Sequence, residues 1–171
     1  MYDTLDMNIL EILFEDARIA PEKVAVMAGA SVDDVKARIK KLEGDRVLIK
    51  YPAMINWERT DRETVQAVIE VRVQPQRDSG FDAVAARINQ FDEVTSLYLM
   101  SGAYDLMVTV EAPTLMKLAS FVSSKLSTIE SVTGTATHFI LKTYKYGGVN
   151  FEGEKDDRRL AVSPLWIMAA L

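Results

Sequence analysis

The stretch VKARIKKLEGDRVLIKY, residues 35–51, sets six cations (Lys36, Arg38, Lys40, Lys41, Arg46 and Lys50) against two anions, Glu43 and Asp45. The chain as a whole, 171 residues long, has a formal charge of −5. Positive charge gathered on one segment of an acidic protein asks for a local cause. Begun three residues earlier, as VDDVKARIKKLEGD, the segment reads as an amphipathic helix with the apolar seam Val32, Val35, Ile39 and Leu42. Ser31 offers an N-cap oxygen, and Asp33 and Asp34 fall in the first turn, where the helix dipole favours carboxylates. Winding at about 100° per residue sets Lys40 and Lys41 opposite the seam, with Ala37 between them and Lys36 and Arg38 on the flanks.

Upstream, YDTLDMNILEILFEDAR spaces Leu5, Ile9, Ile12 and Leu13 as a helix does, with Asp3 or Thr4 as cap. After a break at IAPE, Pro21 opens a second helix, PEKVAVMAG, which Gly29 is placed to end in the left-handed conformation. A short helix, a glycine turn and a second helix with a basic face make a helix-turn-helix pattern. On that reading the small Ala37 permits close approach to a major groove while the cations meet phosphates. A solvated helix face carries similar lysines; the ordered set of helices and turn favours DNA. Asp33 and Asp34 oppose phosphates, although a carboxylate can accept from the cytosine amino group. RVLIKYPAMIN, residues 46–56, is β-like and is expected to add a wing strand, with Pro52 at its edge.

The pattern beyond residue 65 alternates strand and helix periods. VQAVIEVRVQ is a strand, and FDAVAARINQF a helix with Phe81, Val84, Ala85 and Ile88 inward. VTSLYLMS and YDLMVTVEA are strands joined at GA, as in a two-residue type II′ hairpin. TLMKLASFVSSKLST is a helix with Leu115, Leu118, Ala119, Val122 and Leu126 inward, and VTGTATHFILKTYKY is a long last strand. The order βαββαβ predicts a ferredoxin-like sheet with both helices on one face. Leu97 and Leu99 point to one face of their strand and Tyr98 and Met100 to the other, so both faces read as apolar. A second sheet from another subunit is the expected cover, hence a homodimer.

The fold class expected is therefore α+β: a winged helix-turn-helix domain (1–50), a linker strand and loop (51–64), a ferredoxin-like domain (65–146) and a tail (147–171). Apolar residues at 49% and charged residues at 26% fit a folded soluble chain. No apolar run is long enough for a membrane span, and the acidic N-terminus lacks the features of a secretory signal. The absence of cysteine excludes thiolate metal sites and suits the cytoplasm, and one histidine, His138, argues against a metal cluster or a catalytic triad. No cofactor and no enzymatic activity are expected. In the tail, Gly147-Gly148 and the charged run 152–159 read as a flexible exit, and LAVSPLWIMAAL as a segment that docks through Trp166 or remains loose.

These pieces together resemble the Lrp/AsnC (leucine-responsive, feast-famine) family of transcription factors. The likeness rests on D..D..IL.IL...AR (Asp3, Asp6, Ile9, Leu10, Ile12, Leu13, Ala17, Arg18), VAVMAGAS...VKARIKKLE, RVLIKYPAMIN, SGAYDLMV and THFILKTYK, spanning about residues 2–146. The resemblance implies a DNA-binding domain contacting double-stranded DNA through Ser31, Lys36, Ala37, Arg38, Lys40, Lys41, Arg46 and Lys50. It implies dimers that associate further into tetramers or octamers, and an amino acid or related metabolite as effector near Ser101, Gly102, Tyr104 and Asp105. Asp105 would pair with an effector ammonium, and Gly102 would let a carboxylate approach backbone N–H groups. Arg46 stands where the family commonly has a glycine. Two alternatives stay open: a metabolite-binding oligomer whose DNA binding has weakened, and an enzyme like the siroheme decarboxylases that share the architecture.

Overall fold

The computed structural model describes residues 1–74 and 80–152, which form two compact units, one spanning Met1–Ile55 and the other beginning at Asn56. The first holds α1 (Thr4–Glu15), α2 (Pro21–Ala28) and α3 (Val32–Gly44). Each helix starts and stops for a local reason. Asp3 and Asp6 form a reciprocal capping box on α1, Pro21 supplies the first residue of α2, and Gly29 ends α2 at φ 66°. Ser31 caps α3 by accepting from the Asp34 N–H at 3.2 Å. Ile9, Leu13, Val24, Ala25, Val35 and Leu42 are buried as one core, and Leu5, Ile12, Val32 and Ile39 pack on it.

The strand expected over residues 46–56 does not form in the single chain, so the helix-turn-helix carries no wing strand. The segment leaves Val47, Ile49, Tyr51, Met54 and Ile55 exposed. A strand exists only as half of a ladder, and residues 49–55 make no backbone hydrogen bond to another described residue. The turn before it places Arg46 at φ 57°, the only positive-φ residue other than glycine among those described.

The second unit contains β1 (Val65–Val73), α4 (Gly80–Ile88), β2 (Val94–Leu99), β3 (Leu106–Ala112), α5 (Leu115–Phe121) and β4 (Val132–Phe139). The sheet order is β2-β3-β1-β4, all pairs antiparallel, which is the ferredoxin-like arrangement. Alternation along β1 and β3 turns Ala67, Ile69, Val71, Leu106, Val108 and Val110 onto Val84, Ile88, Leu118, Phe121 and Leu126. The helix phase of α5 differs from expectation. Leu118 and Leu126 face the core as expected, but Phe121 joins them while Leu115 and Ala119 stay exposed, and a π turn over Val122–Leu126 follows the helix. Within that turn Lys125 Nζ pairs with Glu93 Oε1 at 2.6 Å.

Three other local expectations change. β2 and β3 meet through a loop closed by the Met100 N–H donating to Asp105 O at 2.8 Å, leaving residues 101–104 as a four-residue turn, not a two-residue one. The last long strand stops at Phe139, and Lys145–Tyr146 (β5) pairs instead with Val149–Asn150 (β6). Gly147 and Gly148, at φ 53° and 85°, form the two-residue turn between them. The open sheet face is mixed. Cross-strand partners place Tyr98, Met107 and Val68 beside Thr109, Glu70, Glu111, Gln66 and His138. His138 Nε2 lies 3.3 Å from Glu70 Oε1 there. The apolar segment around Trp166 lies outside the described residues.

Candidate functional site

Two surfaces carry the candidate residues. On α3, Asp33, Lys36, Ala37 and Lys40 follow one another at the i, i+3, i+4, i+7 spacing and are all exposed, so they form one stripe turned away from the buried seam of Val35 and Leu42. Lys36 Nζ is 3.6 Å from Glu22 Oε1 with both side chains more than half exposed, a loose pairing that a phosphate can displace. Lys41 borders the stripe and stacks over the Tyr2 ring at 5.7 Å. Past the helix, Arg46 and Lys50 are exposed, and Ser31 has its oxygen occupied by the cap.

Arg38 goes elsewhere. Its Nη1 donates to both oxygens of Asp3 and to Asp6 Oδ1, each at 2.8 Å, and its Nε to Asp34 Oδ1 at 3.1 Å. The groove between the start of α1 and α3, about 320 Å³, is lined by Asp3, Asp6, Asp34, Ala37, Arg38 and Lys41. Asp6 is the only buried charged residue among those described. Bonds from the Asp6 N–H and then the Arg38 guanidinium hold the Asp3 carboxyl below its ordinary value; the Asp3 N–H and then Arg38 do the same for Asp6. The same carboxylates, Asp3 first, raise the guanidinium. Arg38 therefore braces the helices and does not present a free guanidinium on the stripe. Sequence reading missed Asp3, Asp6 and Asp34 as its partners. The available signals were the Asp3–Asp6 spacing of a capping box and Asp34 standing four residues before Arg38.

The second surface is the turn 101–104. Ser101 and Gly102 are exposed, Gly102 at φ 152°, while Tyr104 and Asp105 are half-buried. Asp105 is tied down on one side: its Oδ2 accepts from the Val73 N–H at 2.8 Å and its own N–H donates to Val71 O at 3.1 Å. One carboxylate oxygen thus fixes the end of β1 to the turn, and the other is not assigned to a described donor.

Comparison with known proteins decides the family. Residues 3–43 match the AsnC-type helix-turn-helix domain and residues 66–149 the Lrp/AsnC ligand binding domain. A Bacillus subtilis relative, the uncharacterized HTH-type transcriptional regulator YugG, is 52% identical over 93% of this chain and 96% of its own length. This chain belongs to the Lrp/AsnC family. As an Lrp/AsnC protein it is a DNA-binding transcriptional regulator with a ligand-binding domain after its helix-turn-helix. Solved structures of other members agree. A leucine response regulatory protein of Mycobacterium tuberculosis superposes with a TM-score of 0.72 at 27% identity, covering 85% of this chain and 97% of that one. A Neisseria meningitidis transcriptional regulator, determined in complex with L-methionine, matches in fold with a TM-score of 0.68 at 24% identity, covering 85% and 94%. Among the described residues no helix is long and apolar enough to cross a membrane.

Proposed function

We propose that this Lrp/AsnC protein acts in the cytoplasm as a dimer that reads operator DNA with paired α3 helices and responds to an amino acid or a closely related metabolite. The observation that carries the DNA half is the exposed stripe of Lys36, Ala37 and Lys40, bordered by Lys41, on an otherwise acidic protein. Ala37 lets the helix lie close to base edges while the lysines meet phosphates on either side. Arg46 and Lys50 add backbone contacts beyond the helix. Ser31 positions the helix start, and Arg38 serves by bracing α3 on α1. Two such helices read half-sites about 34 Å apart when a two-fold axis relates them.

The open sheet face supplies the dimer contact in this reading. Tyr98, Met107 and Val68 give it an apolar centre that a second copy of the same face would cover. Further association of dimers into tetramers or octamers places the 101–105 turns where an effector can bridge subunits. There Ser101 and Gly102 offer a carboxylate an open backbone, Tyr104 forms a wall, and the free edge of Asp105 receives an ammonium. The effector shifts the regulator only by its difference in affinity between two arrangements of the subunits. The role is regulatory and not enzymatic. Fluorescence anisotropy of the duplex upstream of the protein's own gene, titrated with protein alone and with each amino acid, tests it. Tight binding that one or a few amino acids change supports the reading, and no retention of any duplex at low salt removes it.

A further inference from the structure

Asp33 stands out on the α3 stripe. It is the anion that opens the stripe of Lys36, Ala37 and Lys40, it is exposed, and it makes no hydrogen bond or ion pair to a described residue, whereas Glu43 at the far end of the helix accepts from the Tyr51 hydroxyl. Its neighbour Asp34, about 100° round the helix, is held by Arg38 at 3.1 Å. The two first-turn carboxylates are therefore treated differently by the fold: Asp34 is paired with Arg38 within α3, and Asp33 is left bare on the stripe. Both sit where the helix dipole favours a carboxylate, so the dipole alone does not explain why one is freed.

We infer that Asp33 is a specificity-determining residue, accepting a hydrogen bond from the N4 amino group of a cytosine in each half-site. The inference rests on the DNA-binding reading above and goes further by naming a base. The first turn of a recognition helix is the part that reaches base edges in the major groove. A carboxylate has acceptors only, and cytosine presents a lone donor there. Guanine offers O6 and N7 and thymine O4, all acceptors that repel Asp33. Adenine has an amino donor, but its N7 faces the second carboxylate oxygen. Against every base but cytosine the carboxylate is desolvated without a full complement of donors, which makes it a device for rejection as much as for binding. Ala37, one turn along, leaves the space that lets the short Asp33 side chain reach.

The test selects binding sites from a random double-stranded library with the full chain as wild type, Asp33→Asn and Asp33→Ala, at one salt concentration. Thermal melts confirm that these surface variants fold. Wild type should select cytosine at one position of each half-site. Asp33→Ala should lose the preference at that position alone, and Asp33→Asn should move it to adenine, whose N6 and N7 match an amide. In the selected duplex, replacing that cytosine by 2-pyrimidinone, which lacks the amino group, should weaken wild type about ten-fold and leave Asp33→Ala unchanged. If Asp33→Ala gains affinity for all sequences and keeps the wild-type preferences, Asp33 is only a repulsive charge and the inference is overturned. A wild type that retains no duplex fails the DNA-binding reading itself, and the assignment falls with it.

Discussion

The Arg38 guanidinium lies 2.8 Å from Asp6 Oδ1, joining α3 to the one buried carboxylate of α1, and the same nitrogen holds Asp3. The orientation of the recognition helix thus depends on an ion-pair cluster and not on apolar packing alone. Arg38→Ala leaves Asp6 buried without its cation, so the melting temperature of the full chain at pH 7 should fall by several degrees. The pH dependence follows from the depressed Asp3 and Asp6 values. Carboxyls depressed in the folded state contribute stability that is complete above their unfolded value of about 3.9 and is lost as pH falls through the folded values. The gap between wild type and Arg38→Ala, followed by circular dichroism, should close below about pH 4. A gap independent of pH would mean that packing, not the ion pairs, holds α3.

Arg46 occupies the left-handed region at φ 57°. A side chain there costs about 1 kcal/mol, which glycine avoids in part. Arg46→Gly should raise stability by about 0.5–1 kcal/mol in denaturant titrations and should weaken DNA binding by removal of a phosphate contact. Unchanged DNA affinity would strike Arg46 from the interface.

Met107 sits in the centre of the open sheet face, paired with Tyr98 on β2 and Glu70 on β1. Met107→Lys puts a charge where a second sheet would pack, and sedimentation velocity should show the dimer giving way to monomer with the helical signal retained. A monomeric wild type at micromolar concentration would refute sheet-to-sheet assembly.

Asp105 has two duties in this reading, and one substitution separates them. Asp105→Asn keeps an oxygen for the Val73 N–H, now 2.8 Å from Oδ2, but removes the negative charge. Calorimetry should find amino-acid binding abolished and the melting temperature within a degree or two of wild type. Asp105→Ala should cost about 1–3 kcal/mol by stranding that N–H. Wild-type affinity in Asp105→Asn would take the carboxylate out of the effector site.

Much of the fold was legible because it is written locally. Pro21, Gly29 and Ser31 mark helix ends through their own chemistry, and the period-two run from Ala67 to Val73 declares a half-buried strand. What eluded reading depends on partners distant in sequence or absent from the single chain. Arg38 looks like a groove cation until Asp3 and Asp6, 35 and 32 residues away, come to meet it. Residues 46–56 have strand composition, but composition does not supply a ladder partner. On α5 the core takes Phe121 and leaves Ala119 outside, a choice of face that rests on packing against the sheet, and the π turn that follows over Val122–Leu126 belongs to no periodic template. The turn at Gly102 is two residues longer than its sequence suggests, because a glycine permits several loop lengths.

The stripe of Lys36 and Lys40 is the centre of this account, and its most direct test is the salt dependence of DNA binding. Affinity for the selected duplex, measured by anisotropy across a series of salt concentrations, should fall linearly in a double-logarithmic plot. In the variant carrying both Lys36→Ala and Lys40→Ala, the slope should be shallower by about two to four, since each dimer loses four cations. An affinity that does not change with salt, or a slope that the double substitution leaves intact, would contradict the account.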